Sequence, residues 1–206
     1  MQYLRTLKYG FHVIFHPFDG FWDLKREKRG SVSAALTFIV LTIFMMVVQK
    51  QNTAFLFNTN RLETINVMVD IITVTLVCLL WCVANWCLTS LMDGEGKLKD
   101  ILIFTGYSLI PLWLIQFPLI AMSHMITTEE GTFYYVLTTI SYIWTGALLL
   151  AGMMVTHQYS VKKTLLTTVL TIVGMAILLF IGLLFFSVIQ QIVTFVTTIY
   201  REVRFR

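Results

Sequence analysis

The residues that could carry chemistry are few, and the first group is a set of histidines and aspartates near the N-terminus. His12, His16, Asp19 and Asp23 would share one face of an uninterrupted helix, a spacing that suits a metal site. Pro17 interrupts that helix, because an interior proline removes a hydrogen bond and clashes with the preceding turn. We therefore interpret the segment as two short pieces lying in solvent at an interface, without a metal.

The three cysteines form a second group, and they all lie in one apolar segment. Cys78 and Cys82 are one helical turn apart, but a metal site would need two more ligands nearby. Neither a zinc-protease motif, a nucleophile elbow, a phosphate-binding loop nor a dinucleotide-binding glycine pattern occurs. The sequence predicts a protein that is not an enzyme and has no catalytic, cofactor-binding or metal-ligating residues.

Asp70 is the one acidic residue inside an apolar segment. A carboxylate within a membrane span is a functional candidate by default. Asp70 lies close to the end of its segment, where it could equally reach water or Arg61.

Three further polar residues interrupt the apolar segments. The amide of Asn85 is expected to hydrogen-bond to another helix, and Tyr107 is one candidate partner. His157 closes an apolar segment, where it could stabilise exposed helix carbonyls. Alternatively, it could join a polar patch with Asn85 and the turn at 93–100, which contains Gly94 and Gly96.

The elements that position these residues are membrane helices. The chain of 206 residues is 57% hydrophobic and only 13% charged, about half the charge of a soluble domain, with a mean hydropathy of +0.79. A hydrocarbon layer of about 30 Å needs about 20 apolar residues. Five runs approach or exceed this length, at residues 31–48, 67–92, 101–125, 133–155 and 164–188. We predict an all-α, polytopic membrane helical bundle with five transmembrane helices.

The ends of the chain differ from this bundle. Residues 1–30 carry an apolar aromatic stripe and a basic end, which is typical of an interfacial amphipathic segment. Residues 191–206 form an amphipathic basic tail, so the predicted division is 1–30, 31–190 and 191–206.

The third run is unusual because it contains Gly106 and two prolines, Pro111 and Pro118. Neighbouring helices make interior prolines tolerable in a bilayer, and a seven-residue spacing puts both on nearly the same helix face. We predict a bent helix at the centre of the bundle.

Basic residues predict the orientation. With a cytoplasmic N-terminus, the inner segments hold ten Lys and Arg and the outer segments hold five. This favours a cytoplasmic N-terminus and an external C-terminus. The net charge of +4 then reflects membrane orientation, and no nucleic acid partner is expected.

Several short strings together resemble the Yip-domain (Ypt-interacting protein) family in its short prokaryotic form. They are His16-Pro17-Phe18, Asn85-Trp86, Gly94-x-Gly96-x-Leu98-x-Asp100, Gly106-Tyr107-Ser108-Leu109-Ile110-Pro111 and His157. The resemblance implies five spans with a cytoplasmic N-terminus. Eukaryotic members of that family bind small GTPases and act in vesicle traffic. They also have a long cytoplasmic N-terminal region, which we expect this chain to lack, so that role is not transferred to it directly. Some prokaryotic relatives work beside ABC transporters, so the resemblance implies a non-enzymatic protein of the bacterial cytoplasmic membrane.

The first functional hypothesis is therefore a partner or accessory subunit of another membrane system, an ABC-type transporter or an envelope-stress system. It would dock along the bent third helix and through the polar patch. The alternatives are a channel or transporter for a small solute or lipid, and a membrane-shaping or trafficking factor. Expected partners are the lipid bilayer and other integral membrane proteins, and self-association stays open.

Overall fold

The computed structural model describes residues 2–58, 65–127 and 129–204, and within these ranges every regular element is a helix. The helices are α1 (Gln2–Phe15), α2 (Pro17–Arg26), α3 (Val32–Asn52), α4 (Val67–Leu91), α5 (Leu98–Ser108), α6 (Ile110–Ser123), α7 (Gly131–His157) and α8 (Val161–Arg204). Five stretches are long and apolar enough to cross a membrane: α3, α4, α5 together with α6, α7, and α8. The prediction of an all-α bundle with five spans is confirmed.

The N-terminal segment is two helices, as Pro17 predicts. The chain turns at His16, and Pro17 occupies the start of α2, where its missing N–H costs nothing. The helices fold against each other at Gly20, where an added Cβ would lie 2.9 Å from the Cα of Val13. Buried side chains of this pair join the main core, so the segment packs on the bundle with one face. Its position at a membrane surface stays a prediction.

The third span is broken rather than smoothly bent. Helix α5 ends at Ser108, Leu109 lies between the two helices, and Pro111 is in the first turn of α6, whereas Pro118 lies inside α6 without ending it. The spacing predicts Pro111 and Pro118 on nearly the same helix face. Pro111 is buried and Pro118 is exposed, so the two prolines have different surroundings. Of the most apolar 18-residue window of this span, 56% is buried, against 0–33% for the other spans. Its predicted central position is confirmed.

Gly106 sets the distance between α5 and α3. An added Cβ there would lie 2.6 Å from the carbonyl oxygen of Ala35 and 2.7 Å from its Cα. One residue further along, the ring of Tyr107 meets Phe38 edge-on, with centroids 5.0 Å apart. Small residues let helix backbones approach closely where burial provides no force between helices. The backbones of α3 and α5 are therefore in direct contact at Gly106.

The bundle has two ends, which we call proximal and distal. At the proximal end, Lys25 Nζ donates to the carbonyl of Thr156 over 2.6 Å. At the distal end, the N–H of Ala54 donates to Ser123 Oγ over 3.0 Å. Residues 25–31, 89–97 and 156–163 thus meet proximally, and residues 50–58 and 123–135 meet distally.

Helix α8 is much longer than a membrane span. Its 44 residues extend about 66 Å at 1.5 Å per residue, against a hydrocarbon layer of about 30 Å. Gly174 packs beside Leu88 of α4, but no other helix in the described part of the chain comes within 4 Å of a Cβ added at Gly182. The helix continues unbroken through residue 190, so no break in secondary structure marks the predicted boundary between the bundle and the tail. That boundary stays a prediction about where the chain leaves the membrane.

Replacing Gly106 with alanine should destabilise the bundle. The new methyl group would have to displace backbone atoms of Ala35, and overpacking of this kind costs about 1–3 kcal/mol. Gly146 is the matched control, because its added Cβ meets no atom within 4 Å. The measurement is the unfolding midpoint of both variants in mild detergent. Equal midpoints for Gly106→Ala and Gly146→Ala would contradict the tight contact.

Candidate functional site

Two polar centres occupy opposite ends of the bundle, and the proximal one is built around His157. Its Nδ1 accepts a hydrogen bond from the N–H of Gly96 over 3.3 Å. An added Cβ on Gly96 would lie 2.6 Å from His157 Cε1, and one on Gly94 would lie 2.6 Å from His157 Nδ1. Both glycines are therefore needed for the turn between α4 and α5 to pack on the histidine.

Aromatic rings enclose this histidine. His157 is 1% exposed and stacks on Tyr159 with centroids 5.4 Å apart, while Phe104 approaches edge-on. Tyr159 donates to the carbonyl of Met92 over 3.0 Å, and burial, with a smaller effect of Asp93, raises the pKa of this phenol. The Nδ1 atom of His157 bonds to Gly96, and its Nε2 atom has no partner among the described residues, so this histidine does not bind the carbonyls that end α7. Its ring contacts Gly96 in the turn between α4 and α5, Phe104 of α5 and Tyr159 after α7.

Asn85 lies deeper in the bundle and is fully buried. Its Nδ2 is 3.6 Å from the sulfur of Met153 on α7, a contact to another helix as predicted. The suggestion that Tyr107 is its partner is wrong, because Tyr107 donates to the carbonyl of Thr6 over 2.9 Å. The bend of the third span turns this phenol toward α1 rather than toward α4. The Oδ1 atom of Asn85 has no hydrogen-bond partner among the described residues.

The distal centre contains Asp70, and its partner is Lys50. The ammonium Nζ of Lys50 lies 2.6 Å from Asp70 Oδ1, and the two side chains are 40% and 16% exposed. Arg61, the partner suggested by the sequence, lies outside the described residues. The ion pair links the end of α3 to the start of α4 across the intervening loop.

A cleft of about 450 Å³ opens beside this ion pair. The α7 side of the cleft carries Tyr134, Tyr135, Thr138 and Tyr142. The second carboxylate oxygen of Asp70 and the hydroxyl of Thr138 are buried without a partner among the described residues. Unsatisfied polar atoms at the wall of a cleft favour the binding of a polar group there.

A chain of amides runs from this cleft into the core. Gln116 of α6 is fully buried, donates to Ser141 Oγ over 2.9 Å and accepts from Gln49 Nε2 over 3.3 Å. Sequence reasoning missed these residues as well as Lys50. Gln116 alone gave a signal, because it is a polar residue between Trp113 and Pro118 in an otherwise apolar run.

Both centres contain buried polar atoms that could hydrogen-bond a polar group. Within residues 2–58, 65–127 and 129–204, no three His, Cys, Asp or Glu side chains are close enough to hold a metal ion. Cys78, Cys82 and Cys87 are free thiols. His12 and His16 stack on each other, and Asp23 accepts from Tyr9 and pairs with Arg29.

Five apolar spans, of which the third is broken, define a polytopic helical membrane protein. The model of the Yip1 domain matches residues 11–198, nearly the whole chain. The chain therefore belongs to the Yip1-domain family. No curated protein and no solved structure matches it with significance.

Removing the charge of Lys50 should destabilise the distal end. Lys50→Met leaves the Asp70 carboxylate partly buried and unpaired, at a cost of about 1–3 kcal/mol, below that of a fully buried pair because Lys50 is 40% exposed. The double variant Lys50→Met with Asp70→Leu should recover at least half of this loss. Unfolding midpoints in detergent measure both effects. An unchanged midpoint for Lys50→Met would show that the pair has no structural role.

Proposed function

We propose that this chain is a non-enzymatic partner of another integral membrane protein, as an accessory subunit of an ABC-type transporter or of an envelope-stress system. The observation that carries the proposal is the distal half of α8. From Leu179 onward, every described side chain of this helix is exposed. The described part of the bundle thus buries no side chain in about half of its longest helix.

The length of α8 supports this proposal. About 20 residues cross the hydrocarbon, so a helix that enters at Thr164, after Lys162 and Lys163, leaves it close to Leu184. The residues beyond include large apolar side chains on one face: Phe185, Ile189, Ile192, Phe195 and Val196. An exposed apolar helix face of this size marks an interaction site.

The opposite face of the same segment is polar but uncharged. Ser187, Gln190, Gln191, Thr194 and Thr198 recur at helical spacing along it. A helix with one apolar and one polar face fits a groove on a partner, where anchors three and four residues apart fill successive pockets.

The docking surface differs from the one expected from the sequence. Helices α5 and α6 form the most buried span, and α6 exposes only a narrow strip, at Leu114, Pro118, Ala121 and Met122. Helix α8 offers the larger free surface, so we place the docking there.

Co-purification in mild detergent tests this proposal with a matched pair of variants. Ile192→Lys with Phe195→Lys changes the apolar face, and Gln191→Lys with Thr194→Lys adds the same charge to the polar face. We expect the first variant to lose a stoichiometric membrane-protein partner at least tenfold and the second to keep it. Both should keep the wild-type unfolding midpoint, because this part of α8 packs on nothing in the described chain.

Two results would contradict the proposal. The wild-type chain could purify without any stoichiometric partner, or both variants could retain the partner equally. Protection of Ile192 by lipid alone would instead indicate that the segment lies on the membrane surface.

The distal cleft favours a second function, the passage of a small solute. Asp70 and the buried amide of Gln116 would line the path. Asn85 is fully buried in the other half of the bundle, so a continuous path would need α4 or α7 to move.

Flux assays separate this function from the first. Liposomes containing only this chain should release entrapped potassium or glycerol faster than empty liposomes, and Asp70→Asn should slow the release several-fold, because a polar group in the cleft would lose its charged partner. Release rates equal to those of empty liposomes would exclude the second function.

A further inference from the structure

A basic cavity of about 790 Å³ lies at the proximal end between α1 and the start of α3. Three cationic side chains line it, those of Arg5, Lys28 and Arg29, and its described lining includes no acidic residue. Hydroxyl groups line the remainder, from Tyr3, Thr6, Tyr9, Ser31 and Ser33. The cavity thus combines positive charge with hydrogen-bond donors.

Two of the three cations have no ion-pair partner within the described part of the chain. Arg29 is held by Glu27 over 2.6 Å and by Asp23 over 3.5 Å. Arg5 and Lys28 make no such pair among the described residues and are exposed. The cavity therefore carries an uncompensated positive charge.

Contacts of Arg29 hold the wall of the cavity in place. Its guanidinium lies 5.4 Å from the ring centroid of Tyr9, whose hydroxyl donates to Asp23. Burial, followed by this hydrogen bond to Asp23, raises the pKa of Tyr9 to about 12. The phenol is therefore protonated at neutral pH, and it ties α1 to α2 beside the cavity.

The cavity opens where α3 enters the apolar layer. Ser33 lines it, and Tyr3 is hydrogen-bonded over 2.6 Å to Thr37, one turn further along α3. Val40 and Phe44 continue the same helix face and are 61% and 57% exposed. An apolar strip thus runs from the edge of the basic cavity along the span.

We propose that this cavity binds the phosphate of an anionic membrane lipid, with the acyl chains along the face of Val40 and Phe44. Guanidinium and ammonium groups form strong charge-assisted hydrogen bonds with phosphate. Basic pockets beside membrane helices bind anionic headgroups. The N-terminus of α3, capped by Ser31, adds N–H groups with no partner inside the helix. The adjoining apolar strip favours a lipid over a free phosphate ion.

The test uses the purified full-length chain, delipidated in a neutral detergent. The probes are short-chain phosphatidylglycerol, short-chain phosphatidylcholine and inorganic phosphate, each titrated to a dissociation constant. We expect phosphatidylglycerol to bind at least tenfold more tightly than either other probe.

Two double variants test the site itself. Arg5→Gln with Lys28→Gln should weaken phosphatidylglycerol binding roughly 30-fold, since each basic residue near an anionic lipid contributes on the order of a factor of five. Lys99→Gln with Lys162→Gln is the control, because it removes two exposed positive charges from the same end of the bundle. The control should bind as the wild type does.

Each other outcome would overturn the proposal. Equal affinity for inorganic phosphate would show that the ligand is a soluble anion. Equal affinity for phosphatidylcholine would show that the negative charge is not recognised. Equal losses in the two variants would show general charge attraction without a site. Unfolding midpoints check that both variants fold, as expected because all four side chains are exposed.

Discussion

The close approach of α3 and α5 at Gly106 is the contact on which the rest of the structure depends. Because Gly106 has no side chain, the backbone of Ala35 can approach it closely. This approach brings the rings of Phe38 and Tyr107 into edge-on contact. Tyr107 then reaches the carbonyl of Thr6, which fixes α1 on the bundle. Because lipid tails are as apolar as the side chains, such packing and hydrogen bonding must supply most of the force between helices.

The two ends of the bundle are built differently on this centre. Proximally, His157 fits against two glycines and two aromatic rings and is almost fully buried, although its Nε2 atom has no partner among the described residues. Distally, Lys50 and Asp70 stand beside an open cleft. A closed end around a buried ring is suited to holding the helices, whereas an open polar cleft is suited to binding.

The free surfaces are all peripheral. The projecting half of α8 and the basic cavity under α1 share no residue with the central span. A partner helix and a lipid headgroup could therefore bind at once without disturbing the core. Such an arrangement agrees with the accessory role proposed above.

Composition and local pattern by themselves determined the helical class, the five spans, the interruption at Pro17 and a distortion of the span with Pro111. Each of these features depends on residues that are close in sequence, because the length of an apolar run and the effect of a proline are properties of a single segment. Only the tertiary structure decided that Lys50 pairs with Asp70, that Tyr107 binds Thr6 rather than Asn85, and that Gly94 and Gly96 pack on His157. Those contacts join residues 20 to 101 positions apart, and their geometry exists only once the helices pack.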